Sequence, residues 1–153
     1  MSTFHKDITE ANLHQPKGVS TAAVDTVYVA NGAGSGTWEA PPFSTQIITA
    51  FPDVSSAGSR YSVSSVTGTI DKIWSVLHGA ITANDSTLTF FINGVQITGS
   101  QILVPFTGSA AGNIQSSTPT GTNTVVPGDL ITFTTDGLSS TAQPLTVIMR
   151  VKV

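Results

Sequence analysis

Residues 86–98, STLTFFINGVQIT, give the clearest indication of the fold of this chain. Apolar residues alternate with threonine over residues 87–92, which is the period of two expected of a strand with one buried face. The Asn-Gly pair at 93–94 is typical of a two-residue β-hairpin turn, and residues 95–98 supply the returning strand. The stretch therefore predicts an antiparallel hairpin, in which Phe91 breaks the polar face.

The same alternation recurs along the chain. It is clearest at the C-terminus, where every second residue from Leu145 to Val153 is apolar and Ile148 breaks the polar set. The other predicted strands cover residues 44–50, 61–67, 69–81, 102–106, 123–126 and 130–135. About eight short strands separated by turn residues favour an antiparallel jelly-roll sandwich, so the predicted fold class is all-β.

The beginning of the chain predicts an extended arm with a small β-hairpin. A glycine-rich turn at residues 31–36 separates two short candidate strands. Prolines at 41–42 can neither continue a helix nor donate to a β-ladder, so they indicate a boundary. The predicted organisation is an arm with a hairpin at residues 1–42 and a jelly-roll domain at residues 43–153.

Composition argues against several classes of function. Only 10% of the residues are charged, the net charge is −3, and the six basic residues are scattered, whereas a nucleic-acid binder needs clustered Lys and Arg. The chain has no cysteine for a disulfide framework or a thiolate metal site. It has no apolar run of the ~18 residues that a membrane-spanning helix needs, and no signal-peptide pattern. We therefore expect no nucleic-acid and no membrane partner.

No residue pattern predicts catalysis. The glycine-rich run lacks the Gly-Lys-Ser/Thr end and the following helix of a phosphate-binding loop. The serines lack the flanking glycines of a nucleophile elbow, and the aspartates lie mostly in or beside turns, where they cap backbone amides. If three copies of the chain associate, three copies of one histidine, His5 or His14, could gather around a metal, but ordinary hydrogen bonds to a docking surface are the commoner role. We expect a protein that is not an enzyme, with no cofactor and no bound metal.

Breaks in the alternation predict an interface between copies of the chain. The outside of an isolated sandwich should be polar, so apolar residues on both faces of a strand indicate a surface that meets a partner. The residues assigned to an interface between copies on this ground are Phe91, Ile148, Ile73 and Leu77. The alternative stays open that these residues, including Ile73 and Leu77 opposite Trp74 and Val76 on the middle strand, belong to the core of the sandwich. Trp74 stands inside the apolar run of this strand, so we expect it in the core.

Residues 4–38, FHKDITEANLHQPKGVSTAAVDTVYVANGAGSGTW, resemble the N-terminal segment of many virion proteins of tailed bacteriophages. These proteins include head fibres, capsid decoration proteins and tail-fibre subunits. Gln15 departs from the acidic residue associated with that position. Residues 69–98 and 112–137 resemble the trimeric jelly rolls at the tips of such proteins, which are similar in outline to tumour-necrosis-factor-like domains.

The resemblance implies a capsid decoration or cement protein, made in the host cytoplasm and located on the capsid surface of the virion as a homotrimer. Its implied partner is the major capsid protein of the same virion. The residues of the arm implied to dock on the capsid are Phe4, His5, Leu13, His14, Pro16, Tyr28 and Trp38. The alternative is a receptor-binding module of a head fibre or tail fibre, whose loops bind a host glycan.

Overall fold

The computed structural model describes residues 22–23, 26–30, 36–39 and 43–153. The chain divides into two compact units, Met1–Pro42 and Phe43–Val153. The regular elements of the described residues are all β-strands. Over the same residues the structure contains no helix long and apolar enough to cross a membrane.

The first unit contains an antiparallel hairpin of β1 (Val27–Ala30) and β2 (Gly36–Glu39). Tyr28 pairs with Trp38 across this ladder, and their rings meet edge to face with centroids 5.4 Å apart. Cross-strand aromatic pairs are a main source of stability in a two-stranded ribbon, which has little other surface to bury. The small hairpin predicted from the sequence is confirmed.

The second unit consists of ten strands joined by turns and loops. They are β3 (Ser44–Phe51), β4 (Gly58–Val63), β5 (Gly68–Leu77), β6 (Ser86–Ile92), β7 (Val95–Gln96), β8 (Ile102–Val104), β9 (Ile114–Ser117), β10 (Thr124–Val125), β11 (Leu130–Thr135) and β12 (Leu145–Lys152). All of their pairings are antiparallel.

These strands form two five-stranded sheets. The first sheet has the order β3-β12-β5, and both β9 and β10 pair with the far edge of β5. The second has the order β4-β11-β6, and both β7 and β8 pair with the far edge of β6. The pair β7 and β8 fills one strand position, and so does the pair β9 and β10, which leaves eight positions in the second unit. Numbered in chain order, these positions follow 1-8-3-6 in the first sheet and 2-7-4-5 in the second, which is the strand order of a jelly roll. The all-β jelly-roll sandwich predicted from the sequence is confirmed.

The core lies between the two sheets and follows the predicted alternation. Phe90 and Phe133 oppose each other across β6 and β11, and their rings meet edge to face at 5.8 Å. The buried apolar residues of the four central strands are Ile70, Ile73, Leu77, Leu88, Phe90, Ile92, Ile131, Phe133, Leu145, Val147, Met149 and Val151. The two inner faces thus supply one continuous apolar layer.

Two local differences from the predicted strands have simple causes. Strand β9 was not predicted, because its sequence IQSS is mostly polar and Ile114 is 61% exposed at the sheet edge. The strand predicted over 102–106 ends at Val104, immediately before Pro105, which has no N–H to donate to the ladder.

The chain enters the sandwich at one end. Phe43 precedes β3, and its carbonyl accepts a hydrogen bond from the N–H of Val153 at 3.0 Å. Strand β3 has eight residues, so Phe51 lies roughly 25 Å away at the other end. We call that end the distal end; the loops found there cover residues 52–57, 78–85, 105–113 and 136–144.

Candidate interaction surfaces

Two of the seven predicted docking residues lie in the hairpin of the first unit. Tyr28 and Trp38 are half-buried and share one face of the ribbon. The opposite face carries Val27 and Val29, which are 38% and 41% exposed. The other five predicted docking residues lie outside the described residues: Phe4, His5, Leu13, His14 and Pro16.

Ile73 and Leu77, which were predicted to lie in a trimer interface, are instead buried in the core of a single copy. Their exposed fractions are 0% and 2%. The register between β5 and β12 shifts at Asp71, which has no paired residue on β12. As a result, the odd-numbered residues of β5 face inward from Ile73 onward. Trp74, which the apolar run suggested was in the core, therefore lies on the outer face and is half-buried.

The other two predicted interface residues point outward, but in opposite directions. Ile148 is half-buried on the outer face of the first sheet, and Phe91 is half-buried on the outer face of the second sheet. The structure therefore does not bring the four predicted residues together on one surface.

The outer face of the first sheet carries a continuous apolar strip. Ile48, Ile148 and Trp74 are direct neighbours across β3, β12 and β5. In the adjacent row Val76 pairs with Ile114, and Ile48 and Ile114 are 59% and 61% exposed. Because neighbouring strands lie about 4.8 Å apart, these five side chains form one patch, which we call the Trp74 face.

A charged pair borders the Trp74 face. Arg150 donates to both carboxylate oxygens of Asp71, at 2.7 Å from Nε and 2.8 Å from Nη2. The guanidinium carbon also lies 5.4 Å from the centre of the Trp74 ring, a cation–π distance. The hydrogen bonds from Arg150 hold the pKa of Asp71 below its ordinary value and raise the pKa of Arg150. This pair remains charged at neutral pH and holds one side of the indole.

The outer face of the second sheet has a different character. Tyr61, Thr132 and Phe91 form one row across β4, β11 and β6, so a hydroxyl group separates the two aromatic rings. Further threonines occupy the same face at positions 87, 89 and 134. In the next row Val63 pairs with Leu130, so Tyr61, Val63 and Leu130 form a smaller apolar group on this face, whereas the Trp74 face joins five apolar residues across four strands.

An open cleft of ≈ 530 Å³ lies at the distal end. Its walls are Phe106 and Leu138, which are 40% and 64% exposed, and its polar groups come from Asn84, Asp85 and Thr87. These residues belong to the loop before β6, the start of β6, the loop after β8 and the loop after β11. We call it the distal cleft.

Hydrogen bonds to side chains shape the distal cleft. Asp85 Oδ1 accepts from the backbone N–H of Phe106 at 2.9 Å, which positions the aromatic wall. Asp136 accepts from the N–H of Leu138 at 3.1 Å and from the N–H of Thr87 at 2.9 Å, which ties the second wall to β6. Each apolar wall is thereby fixed to an aspartate rather than left as a free loop.

The other aspartates whose pKa is shifted, Asp53 and Asp129, stabilise turns. Hydrogen bonds from the hydroxyl and N–H of Ser55 lower the pKa of Asp53. The N–H of Val126, followed by the side chain of Asn93, lowers the pKa of Asp129. Within the part of the chain that the structure describes, no three His, Cys, Asp or Glu residues are grouped as metal ligands would be.

A smaller cleft of ≈ 200 Å³ lies between the edge strands β3 and β4. It is lined by Ile47, Val66 and hydroxyl-bearing residues such as Thr45 and Ser62. Its polar lining and small size leave room for little more than ordered water.

Sequence reasoning missed the Trp74 face and the distal cleft for different reasons. The outward position of Ile148 next to Arg150 was a usable signal for the first, because a cross-strand neighbour of Ile148 must also point outward. No local signal marked the distal cleft, since its residues lie up to 54 positions apart in the chain.

No protein-family model, curated protein or solved structure matches this chain.

Proposed function

We propose that this protein is a capsid decoration or cement protein of a tailed bacteriophage, which coats the capsid surface as a homotrimer. In this proposal the N-terminal segment binds the major capsid protein and the jelly roll associates with two further copies. The resemblance of residues 4–38 to virion proteins supports the first part. The Trp74 face supports the second.

The Trp74 face is the observation that carries the proposal. Burying a large aliphatic or aromatic side chain contributes roughly 1.5–3 kcal/mol relative to leaving it in water. Five such side chains lie together here on an outer sheet face, although the surface of the chain is otherwise rich in Ser and Thr. A contiguous apolar patch of this kind is typical of an association surface.

Threefold symmetry limits which surfaces can take part. A closed ring joins two different patches of each copy, and patches that face in opposite directions make an open stack instead. Ile148 and Phe91 lie on opposite outer faces. The proposed trimer therefore uses the Trp74 face against a lateral surface of the next copy and leaves Phe91 outside the interface.

A trimer also strengthens attachment to a capsid. Three N-terminal segments bind at once, and linking binding modules raises the overall affinity by about 10²–10⁴ without any new contact. Segments that contact neighbouring capsid subunits hold those subunits together against the outward pressure of packaged DNA. The protein acts mechanically in this proposal and needs no catalytic residue.

Light scattering of the full chain tests the oligomeric state. The expected mass is three times 15.8 kDa. Ile48→Glu should dissociate the trimer, whereas Val63→Glu is a matched control, because both residues are 59% exposed on edge strands but belong to opposite outer faces. A monomeric wild-type protein, or dissociation by Val63→Glu alone, would overturn the proposed interface.

Deletion of residues 1–40 tests the attachment. The shortened protein should keep its β-sheet circular dichroism and its trimeric mass but should no longer coat capsids that lack the wild-type protein. Coating at wild-type occupancy would contradict a role of the N-terminal segment in docking. A copy number of a few per particle, rather than hundreds, would favour the fibre alternative.

A further inference from the structure

We propose that the distal cleft binds a neutral glycan. The proposal goes beyond capsid docking, and it depends neither on the Trp74 face nor on the N-terminal segment. It rests on the chemistry of five residues: Asn84, Asp85, Thr87, Phe106 and Leu138.

The polar groups of the distal cleft are mainly hydrogen-bond acceptors. Asp85 uses one carboxylate oxygen for the N–H of Phe106, and its other oxygen has no protein partner. The amide nitrogen of Asn84 donates to Ser140 at 3.1 Å, which leaves its carbonyl oxygen available. The hydroxyl of Thr87 likewise has no protein partner and can donate or accept. A ligand rich in hydroxyl donors satisfies all three groups.

The apolar walls of the distal cleft complement the apolar faces of a sugar ring. A pyranose ring presents C–H groups on its faces and hydroxyls around its rim, so it packs against an aromatic ring while its rim makes hydrogen bonds. Phe106 and Leu138 supply such walls, and both are held in place by aspartates. A volume of ≈ 530 Å³ lies within the roughly 300–1,000 Å³ of small-molecule sites.

The charge of the cleft selects among glycans. Its lining contains one carboxylate, Asp85, and no Lys or Arg. A sialylated or sulfated sugar would place a second negative charge next to this carboxylate, without a cation to offset the repulsion. Neutral hexose or N-acetylhexosamine units are therefore the favoured ligands.

The position of the cleft suits contact with an outside surface. The second unit begins at Phe43, and the distal cleft lies at the end of the sandwich away from this residue. Ser86 begins β6 beside the cleft, and its hydroxyl oxygen lies 3.4 Å from the carbonyl oxygen of Val54 just after β3, which places the cleft at that end. The length of β3 therefore separates Phe43 from the exposed walls of the cleft, Phe106 and Leu138.

An array of immobilised oligosaccharides tests the proposal with the full chain as probe. The array carries neutral hexose and N-acetylhexosamine oligosaccharides, their sialylated and sulfated forms, and a lysine-rich peptide. We expect binding to at least one neutral oligosaccharide, confirmed in solution by saturation-transfer NMR with the same sugar. Phe106→Ala should weaken that binding at least tenfold.

A second pair of variants separates recognition from folding. Thr87→Val removes one hydroxyl from the cleft and keeps the volume and β-branching of the side chain, so the fold should persist and affinity should drop several-fold. Thr89→Val is the matched control, because Thr89 lies two residues further on the same face of β6 and outside the cleft lining. It should bind like the wild type.

Three outcomes would overturn the proposal: no neutral glycan bound, binding only to anionic sugars or to the basic peptide, or binding unchanged in both Phe106→Ala and Thr87→Val. Failure of the trimer can be recognised separately. Ile48→Glu should alter the mass in light scattering while a monovalent sugar still binds, whereas the cleft variants should bind the sugar more weakly and keep the mass.

Discussion

Arg150 on β12 binds both carboxylate oxygens of Asp71, the residue at which the register between β5 and β12 shifts. The shift turns Asp71 toward the outer face, where it meets Arg150 next to the Trp74 ring. The ion pair thus lies at the position where the buried residues of β5 change from even to odd numbers, between Ile70 and Ile73.

Acid should destabilise the protein partly through this pair. The pKa of Asp71 is lowered from 3.8 in the folded chain, chiefly by hydrogen bonds from Arg150, and the pKa values of Asp53 and Asp129 are lowered as well. A lowered folded-state pKa gives stability that is present above the unfolded value and lost as the pH falls through the folded value. The melting temperature should therefore stay constant near neutral pH and should decrease once the pH drops below about 4.

The Asp71→Asn variant measures how much this ion pair contributes to the stability of the fold. The variant should melt about 1–3 °C below the wild type at pH 7, because the pair is partly exposed and such pairs contribute little. The gap should narrow as the pH is lowered, since the wild-type carboxylate also loses its charge. Circular dichroism melts between about pH 2 and 7 give both numbers; a gap independent of pH would contradict the assignment.

Two glycines should respond differently to substitution by alanine. Gly94 forms the hairpin turn with Asn93 at φ values of 82° and 49°, and a side chain there would meet no other atom, so Gly94→Ala should cost about 1 kcal/mol of left-handed strain. Gly137 has φ 70°, and a Cβ there would overlap the backbone nitrogen of Ala57. Gly137→Ala should cost clearly more.

Urea unfolding of the two glycine variants provides the measurement. Equal losses would show that the loop holding Leu138 yields freely, which would also weaken the case for a preformed distal cleft. A larger loss for Gly137→Ala agrees with close packing of the loops at residues 55–57 and 136–138.

Alanine substitutions of two phenylalanines on neighbouring strands should distinguish a core position from a surface position. Phe133 is fully buried, so Phe133→Ala should lower the free energy of unfolding by about 3–5 kcal/mol. Phe91 is half-buried on the outer face, so Phe91→Ala should cost less than ~2 kcal/mol and leave the oligomeric mass unchanged. Loss of the trimer in Phe91→Ala would return this residue to the interface.

Of the two aspartates at the distal end, Asp136 should contribute more to the stability of the fold than Asp85. It accepts hydrogen bonds from the hydroxyl of buried Ser86 at 3.2 Å, from Thr87 N–H and from Leu138 N–H. Asp136→Ala removes the acceptor of both backbone N–H groups, while the Ser86 hydroxyl can still turn to the Val54 carbonyl, and should cost about 1–3 kcal/mol. Asp85→Ala removes one acceptor at an exposed loop and should cost less. Denaturant titration ranks the pair, and a larger loss for Asp85→Ala would contradict the assignment.

Local patterns in the sequence were enough for the strands with one clean apolar face. Strand β12 and the β6–β7 hairpin agree closely with their predicted bounds, because alternation and the Asn-Gly turn are properties of neighbouring residues. Strand β9 escaped prediction because an edge strand needs few apolar residues once β5 supplies its partner.

The amino-acid pattern alone predicts a set of short antiparallel strands, since a period of two can be read within one segment. The face of β5 that points inward is set by contacts between strands. The register shift at Asp71 depends on pairing with β12, which lies some 80 residues away in the chain. The Trp74 face and the distal cleft were decided in the same way, because both are formed by residues that only strand pairing brings together.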